Sequence, residues 1–495
     1  MKKNSLNLLA ALSMGLLMTA TYGCSSDVEE VLVDNSEVTD KDLHVCEINL
    51  NVQVNGYDGQ PSAKVATRAG STEGWNDGDK IYLRFTSPLG ITTGEAVYNS
   101  TKANWTLSYY GSLYEGAANT CTAVYVENAE KVEGSVVSLT EGSVIYEDNT
   151  GSYIVEGGDL TVTANLSPKV GRLRFTGTSG KTMKVYGISH YTTYDASTHL
   201  FTNTNAAFEN VVNSDGYTDY AYGYFSDEEN PSVKLWIDKK EAYTRFFSSN
   251  VLAAGESGVM TIPTEASHSS WTWGLTFNIQ GKIMTMIPVE GGTFAMGNES
   301  ETNSSPVHNV TLNSYCIGET EVTGEFYYKV TGSTSTGNTK PLHTYQPYWL
   351  TFAKTLTTQT GAKFVLPTEA QWEYAARGGK KSKGYVYSGS NKIDEVAWYK
   401  SNSNNERHPV KQKLPNELGL YDMSGNSIEI VRDYWYAYSE SSEINPVGAT
   451  SGNYYVARGG RYSSDAQSTT TTYRAQWSTY QSDSYYIGGR MVIEW

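Results

Sequence analysis

Residues 366–379, Leu-Pro-Thr-Glu-Ala-Gln-Trp-Glu-Tyr-Ala-Ala-Arg-Gly-Gly, decide the fold of the C-terminal part of this 495-residue chain. Thr368 stands three residues before Gln371, which is the spacing of a capping box at the start of a helix. Two glycines follow Arg377, and glycine after the last helical residue is a common helix end. The stretch therefore predicts a helix that begins after Thr368 and ends at Arg377.

A second helix is predicted upstream of this stretch. Apolar residues at helical spacing recur at Trp349, Phe352, Ala353 and Leu356, and Gly361 ends the run. Strands and short helices without βαβ regularity indicate an α+β domain over residues 285–495. We expect residues 270–285 to be a connector before that domain.

Further motifs surround the helix in a fixed order. They are Phe294–Gly297, Pro306–His308, Thr320–Thr323, Asn416–Asn426, Arg458–Gly460 and Ile487–Arg490. On these motifs, residues 285–495 closely resemble the formylglycine-generating enzyme, or sulfatase-modifying factor, family. The resemblance implies a variant of the C-type lectin fold.

The same resemblance implies an oxidation that needs two cysteine thiolates holding Cu(I), a soft metal that prefers sulfur. The matching positions are Ser464 and Thr469, and no cysteine follows Cys316. We therefore expect no catalytic residues, no enzyme activity and no copper, and the seven histidines lack the spacing of an iron-binding triad. The rival interpretation is an oxidase of the sulfatase-modifying type.

A calcium loop is also implied by the resemblance, as a structural site. The expected ligands are the side chains of Asp422 and Glu429 and the carbonyls of Gly425 and Ser427, because Ca²⁺ prefers hard oxygen donors. The alternative is that both acids are solvated, or that Glu429 bonds the backbone.

The segment 461–486 has an unusual composition. Of its 26 residues, 18 are Tyr, Ser, Thr or Asp, and it has no Leu, Val, Ile, Met or Phe, so we expect it to lie outside the core. Aromatic residues among small hydroxyl residues are typical of antibody paratopes. The segment resembles variable proteins that are diversified by retroelements. The predicted binding face, for a protein or glycan ligand, comprises Arg461, Tyr462, Ser463, Ser464, Asp465, Gln476, Trp477, Thr479, Tyr480, Asp483, Tyr485 and Tyr486.

Two alternatives remain open for this part of the chain. The segment is either a binding face or the low-complexity edge of a decayed enzyme. The aromatic runs 434–438 and 454–455 either extend the face or pack in the core.

Residues 42–270 show short alternating runs that predict antiparallel strands, which we interpret as two β-sandwiches over 42–157 and 158–270. The segments 66–69, 74–81 and 170–175 resemble the fimbrillin family of pilins. That resemblance implies cleavage after Arg68, loss of the leading strand, and donation of a strand by a neighbouring pilin subunit. The alternative is that Arg68 is an ordinary exposed arginine and that the protein is a passive pilus subunit.

Residues 1–24 resemble a lipoprotein signal peptide, with Lys2 and Lys3 before the apolar run Leu8–Met18 and with Cys24 as the lipidated residue. An acidic linker is expected over 25–41. We therefore expect an outer-membrane lipoprotein at the cell surface, placed at a pilus tip, whereas ordinary secretion with cleavage nearby is the alternative.

The charge balance limits the partners. The 37 basic and 53 acidic residues give a net charge of −16, which argues against a nucleic-acid partner. Cys46 and Cys121 either pair in an oxidising compartment or stay reduced. Cys316 lies in an apolar run and is expected to be a buried thiol.

Overall fold

The computed structural model describes residues 43–57, 61–66, 75–115, 119–225, 231–248, 252–263, 270–335, 337–478 and 487–495. The predicted signal peptide, Cys24 and Arg68 lie outside these residues. The chain forms two compact units, and the first contains residues up to Val137 together with Ser143–Lys169 and Asp195–Leu200. In the described part, none of the helices has the length and apolar character that crossing a membrane requires.

The first unit is built from strands. They are β1 (Leu43–Asn55), β2 (Pro61–Ala66), β3 (Lys80–Ser87), β4 (Gly90–Asn99), β5 (Asn104–Tyr110), β6 (Asn119–Glu133), β7 (Val136–Glu156) and β8 (Asp159–Pro168).

Strand β1 is an inner strand of this unit. Its first half pairs antiparallel with β5, from Leu43 opposite Tyr110, and its second half pairs parallel with β8 and antiparallel with β2. Alternate side chains are buried, at Cys46, Ile48, Leu50, Val52 and Val54, as the period-two pattern predicts.

Cys46 on β1 and Cys121 on β6 are both buried, and the structure has no disulfide between them. Strands β3, β4 and β5 stand between β6 and β1 in the sheet, so the two thiols belong to strands that are not neighbours. Burial raises the pKa of the Cys121 thiol to about 12.

The boundary predicted near 157 needs correction. Strand β8 follows that point, yet it pairs with β1 over Asn49–Val54 and with β7. The first unit therefore continues through Lys169. The hairpin of β7 and β8 turns at Gly157 and Gly158, which the sequence pattern alone made look like a domain border.

The second unit begins with two sheets. Its strands are β9 (Gly171–Thr176), β10 (Thr182–Tyr186), β11 (Ile188–Asp195), β12 (Leu200–Thr204), β13 (Phe208–Val211), β14 (Ala221–Phe225), β15 (Ser232–Ile237), β16 (Glu241–Phe246), β17 (Ser257–Thr261) and β18 (Thr272–Trp273). Four strands are neighbours in the order β17-β9-β14-β11, with β12 beside β11, and five others form a sheet of the order β13-β10-β15-β16-β18.

The rest of this unit mixes strands and helices. Its strands are β19 (Leu275–Ile279), β20 (Lys282–Val289), β21 (Gly292–Met296), β22 (His308–Leu312), β23 (Tyr315–Gly318), β24 (Phe364–Val365), β25 (Glu429–Tyr434), β26 (Glu443–Ile444), β27 (Tyr454–Arg458), β28 (Arg474–Ser478), β29 (Gly488–Gly489) and β30 (Val492–Glu494). Its helices are α1 (Gly324–Thr331), α2 (Gln346–Thr360), α3 (Glu369–Ala376) and α4 (Ile393–Val396), with 3₁₀ turns at Gly379–Lys381 and Ala466–Thr469.

Three sheets organise this part: β19-β20-β23-β30-β24, β21-β22-β26 and β28-β27-β25-β29. The predicted class, mainly β followed by α+β, is confirmed. Both predicted helices are present as α2 and α3, and Thr368 forms the capping box with Gln371.

Residues 270–285, which we expected to be a connector, instead form most of a β-hairpin. Strands β19 and β20 form a hairpin whose two turn residues, Gln280 and Gly281, have φ of 50° and 80°. A residue pair with positive φ, usually ending in glycine, is the signal of a tight hairpin. The C-terminal sheet therefore begins at Leu275.

Strand β15 explains how the two parts of the second unit hold together. All six of its residues are buried. Val233, Leu235 and Ile237 enter the core of the β-sheets, whereas Trp236 enters a core shared with α2 and with the C-terminal strands. The strand is therefore buried on both faces, and its two polar residues, Ser232 and Lys234, are buried with the rest and hydrogen-bonded to one another at 2.9 Å.

Candidate functional site

Helix α3 carries a buried ionic network into the centre of the C-terminal part. All eight of its residues are buried, including Glu369 and Glu373. Two arginines from neighbouring strands, Arg458 at the end of β27 and Arg474 at the start of β28, are at most 1% exposed. Because buried charges are costly unless they are paired, the four side chains depend on one another.

The contacts in this network are direct. Arg474 donates from Nη2 to Glu369 Oε2 at 2.7 Å, and Arg458 donates from Nη1 to Glu369 Oε1 at 3.3 Å and from Nη2 to Glu373 Oε2. Burial alone would raise the pKa of Glu373, but Arg458 and Arg377 outweigh it and lower that pKa. Glu373 is therefore ionised in the folded protein.

The same arginine holds the hydroxyl-rich segment in place. Arg458 donates to the carbonyl oxygens of Thr472 and Thr471 at 3.0 and 2.9 Å. The hydroxyl of Thr472 donates to Glu301 Oε1 at 3.0 Å. Residues 469–472 are all buried, so the expectation that 461–486 lies wholly outside the core is wrong for this run.

The two positions that match the family's cysteines lie at either end of a short turn. Ser464 is partly buried, and its Oγ accepts a hydrogen bond from the Arg461 N–H at 3.1 Å. Thr469 is fully buried, and its hydroxyl donates to the Ala466 carbonyl at 2.8 Å. Both side chains thus hold the backbone of their own turn.

The remaining cysteine of this part lies in the core. Cys316 on β23 is fully buried in the core shared with α2, opposite Ile493 of β30. Burial raises its pKa well above the usual value, so the thiol is protonated at neutral pH. Among the described residues, no group of three or more His, Cys, Asp or Glu side chains is arranged to hold a metal ion.

The predicted binding face is described in part. Arg461, Tyr462 and Ser463 are partly exposed, as is Trp477, while Asp465 and Gln476 are exposed. Asp465 forms an exposed ion pair with Lys400 at 3.0 Å. The other predicted members, Thr479, Tyr480, Asp483, Tyr485 and Tyr486, lie outside the described residues.

Three aromatic residues, one from each neighbouring strand, form a row across β25, β27 and β28. Tyr434 pairs with Tyr455, and Tyr455 pairs with Trp477. The rings of Tyr434 and Tyr455 stack with centroids 4.5 Å apart, and their hydroxyl oxygens are 3.0 Å apart. Each of the three side chains is partly exposed, and we call them the aromatic row.

The aromatic runs differ in how far they are buried. Tyr455 and Trp477 are partly exposed but also pack against the core shared with α2, and Trp435 packs against the neighbouring core cluster, so that the row extends the binding face stays a prediction. Tyr438, by contrast, is buried and donates its hydroxyl hydrogen to Glu369, so it belongs to the core. Strand β25 ends at Tyr434, so Tyr438 lies beyond the strand and the period-two pattern does not decide which way it faces.

The loop predicted to bind calcium has one open oxygen. Glu429 is engaged, because Trp372 Nε1 donates to its Oε2 at 2.8 Å and Arg490 donates to its Oε1 from Nη2 at 2.7 Å. Asp422 accepts from the Lys411 N–H through Oδ2, whereas its buried Oδ1 has no hydrogen bond from the described residues. Burial raises the pKa of Asp422 to about 6.

Comparison with known proteins gives the family. Residues 276–495 match the model of the sulfatase-modifying factor enzyme 1-like domain. The chain is 33% identical over 215 residues to the chaperone protein LppX of Paenibacillus barcinonensis, and this match covers 32% of the chain and 74% of that relative. The chain belongs to the sulfatase-modifying factor enzyme 1-like family.

The family also includes enzymes similar to this chain. The formylglycine-generating enzyme of Mus musculus is 24% identical over 279 residues, covering 42% of this chain and 74% of the enzyme. The predicted sulfatase-modifying factor domain is therefore confirmed, and its observed first strand, β19, agrees with the start of the family match.

Two solved structures are also similar. Treponema denticola variable protein 1 is 25% identical, with 44% of this chain and 98% of that chain covered and a TM-score of 0.41. A fimbrial protein from Bacteroides ovatus is 11% identical, with 91% of this chain and 99% of that chain covered and a TM-score of 0.24.

Proposed function

We propose that this family member is a surface adhesin whose C-terminal domain binds a protein or glycan and does not oxidise cysteine. One observation carries this proposal: hydroxyl side chains, Ser464 and Thr469, stand where the resemblance requires two thiols. A hydroxyl is a poor ligand for Cu(I) and cannot form a disulfide. The buried, protonated Cys316 offers no substitute.

The aromatic row supports a binding role. Tyr and Trp offer a large contact area at low cost in conformational entropy. Here stacking and strand pairing hold Tyr434, Tyr455 and Trp477 in position before any ligand arrives. Gln476 and Tyr454, on the same two strands, are exposed but alternate with Trp477 and Tyr455, so they face the other side of the sheet and are not part of the row.

The N-terminal unit would attach this domain to a fibre and to the outer membrane. We propose a lipid anchor at Cys24, cleavage after Arg68, and replacement of the lost strand by a strand of another pilin subunit. The geometry of β1 supports this, because its removal would leave β5 and β8 each without one of two partner strands and would expose a row of apolar pockets. An added strand with the same alternation would fill them.

A structural calcium ion is part of the proposal, with a revised ligand set. Asp422 Oδ1 and the carbonyls of Gly425 and Ser427 would hold it, while Glu429 keeps its bond to Arg490. Bound calcium would supply only charge compensation and loop rigidity.

Two assays on the full chain test the proposal. Beads coated with the protein are incubated with immobilised mucin, as a glycoprotein probe, and with immobilised fibronectin. We expect attachment to at least one of them, with Trp477→Ala lowering it at least tenfold. Tyr348→Ala, which removes a 54% exposed aromatic ring on α2, is the matched control and should leave attachment unchanged.

The second assay addresses the rival function. The protein is mixed with copper(I), oxygen and a cysteine-containing peptide, and aldehyde formation is followed by mass spectrometry. We expect no aldehyde. Aldehyde formation, or attachment that Trp477→Ala leaves intact, would overturn the proposal.

A further inference from the structure

A cleft lies in the second unit, and it shares no residue with the predicted binding face. Its volume is about 610 Å³. The residues that matter here are Lys239, from the turn between β15 and β16, Arg432 on β25, Glu494 and Trp495 at the end of β30, and Asn313 and Asn445.

The turn that carries Lys239 has an unfavourable backbone. Asp238 and Lys239 have φ of 47° and 60°, a left-handed conformation in which glycine or asparagine is usual. The turn is held by the Lys240 N–H, which donates to the Ile237 carbonyl at 2.9 Å, and by the Thr182 N–H, which donates to Asp238 Oδ1 at 2.9 Å. Left-handed residues that are neither glycine nor asparagine tend to occur at functional sites.

This turn places a cation beside an aromatic ring. The Nζ of Lys239 lies 5.2 Å from the centroid of the Trp495 ring. Trp495 packs edge-on against Trp236, with centroids 4.8 Å apart, and Trp236 is fully buried. The Trp495 ring is therefore fixed, although the residue is partly exposed.

Arg432 supplies a second cation. Its Nη2 donates to Glu494 Oε1 at 2.7 Å, and its side chain is 28% exposed. A guanidinium has five N–H donors, and within the described residues its side-chain bonds use Nη2 alone. The formal charges of Lys239, Arg432 and Glu494 sum to 2 − 1 = +1. The net charge of these three cleft residues is thus opposite in sign to the net charge of −16 of the whole chain.

The aromatic ring and the two cations together favour one class of ligand. A rigid indole ring offers an apolar surface for the C–H face of a sugar ring, and the two cations suit a carboxylate, which arginine binds with paired N–H groups. The amide side chains of Asn313 and Asn445 can bond sugar hydroxyls. We propose that this cleft binds a hexuronic acid unit of an acidic polysaccharide.

The test uses the full chain, with D-glucuronic acid as the probe and D-glucose as its uncharged counterpart, and with binding followed by isothermal titration and by Trp fluorescence. We expect glucuronate to bind at least tenfold more tightly than glucose. Lys239→Gly is the decisive variant, because glycine suits the turn and preserves the fold while the cation is lost. It should weaken glucuronate binding at least fivefold, and Trp495→Ala should weaken both sugars.

Lys354→Ala, which removes an exposed lysine on α2, is the charge-matched control and should not change binding. Trp477→Ala should also leave glucuronate binding intact, because this cleft is independent of the proposed adhesive face. The inference is overturned if glucuronate does not bind at millimolar concentration, if glucose binds equally well, or if Lys239→Gly binds like the unmodified protein.

Discussion

Asp433, on β25, makes the stability of the C-terminal core depend on pH. Its side chain is 1% exposed, and its Oδ2 accepts the N–H of Glu369 at 2.9 Å at the start of α3. Burial and the nearby Glu369 carboxylate raise its pKa from 3.8 to about 7, although the Glu369 N–H, Arg432 and Arg474 act in the opposite direction.

The sign follows from proton linkage. The folded protein holds this proton up to a pH of about 7, whereas the unfolded chain releases it near 3.8. The stabilisation that comes from the proton on Asp433 is therefore fully present below pH 3.8. It decreases as the pH rises from there and is lost once the pH has passed about 7. Asp433→Asn removes this loss and keeps an oxygen that can accept the Glu369 N–H.

The magnitude can be worked from the two pKa values. At about 1.4 kcal/mol per pKa unit, the advantage of Asn over Asp grows by about 2 to 3 kcal/mol between pH 5 and pH 8.

Hydrogen exchange at the α3 amides is the assay, because it reports local opening in a chain with several cooperative units. Opening free energies are compared at pH 5 and pH 8 for the unmodified protein, Asp433→Asn and the control Asp465→Asn, which neutralises an exposed carboxylate. Parallel pH profiles for Asp433→Asn and the unmodified protein would refute the reasoning.

Three further predictions concern named contacts. Arg458→Met leaves Glu373 with a buried, poorly compensated charge and should cost about 3 kcal/mol or more in urea unfolding, whereas a loss below 1 kcal/mol would contradict this. Gly361→Ala should destabilise the protein more than Gly384→Ala. Both glycines have φ near 70°, but only at Gly361 would an added Cβ meet a backbone atom, the Asn205 carbonyl oxygen at 1.2 Å. Equal losses of stability on thermal unfolding would show that this contact is unimportant. Calcium at 100 times its dissociation constant should stabilise the protein by about 2.7 kcal/mol, and Asp422→Asn should abolish the shift; no shift in the unmodified protein removes calcium from the proposal.

Local signals in the sequence predicted the helices well. The capping box at Thr368, the apolar spacing from Trp349 and the glycine at 361 each depend on neighbouring residues, and the structure contains both helices where these signals place them. The parallel pairing of β1 with β8 leaves no such signal, since it joins residues more than a hundred positions apart. The boundary near Gly157 was misplaced for that reason.

Of the candidate functional site, only the part with an unusual amino-acid composition could be predicted from the sequence. Trp477 was singled out because aromatic residues among hydroxyl residues are unusual. The burial of the threonines at 469–472 was not predicted, because it involves a distant residue: Arg458 donates hydrogen bonds to the carbonyls of Thr471 and Thr472. The cleft lined by Lys239 and Arg432 could not be predicted from the sequence, since it forms only when distant strands pack together.

The position of β1 also constrains the order of events during synthesis. Residues 43–55 are made early, but one of the strands that flank them, Asp159–Pro168, is made more than a hundred residues later. Closing so long a loop is slow compared with forming a local hairpin. The first unit consequently passes through a stage in which β1 has its antiparallel partners β2 and β5 but still lacks β8, so a matching strand that arrives first can take the place of β8.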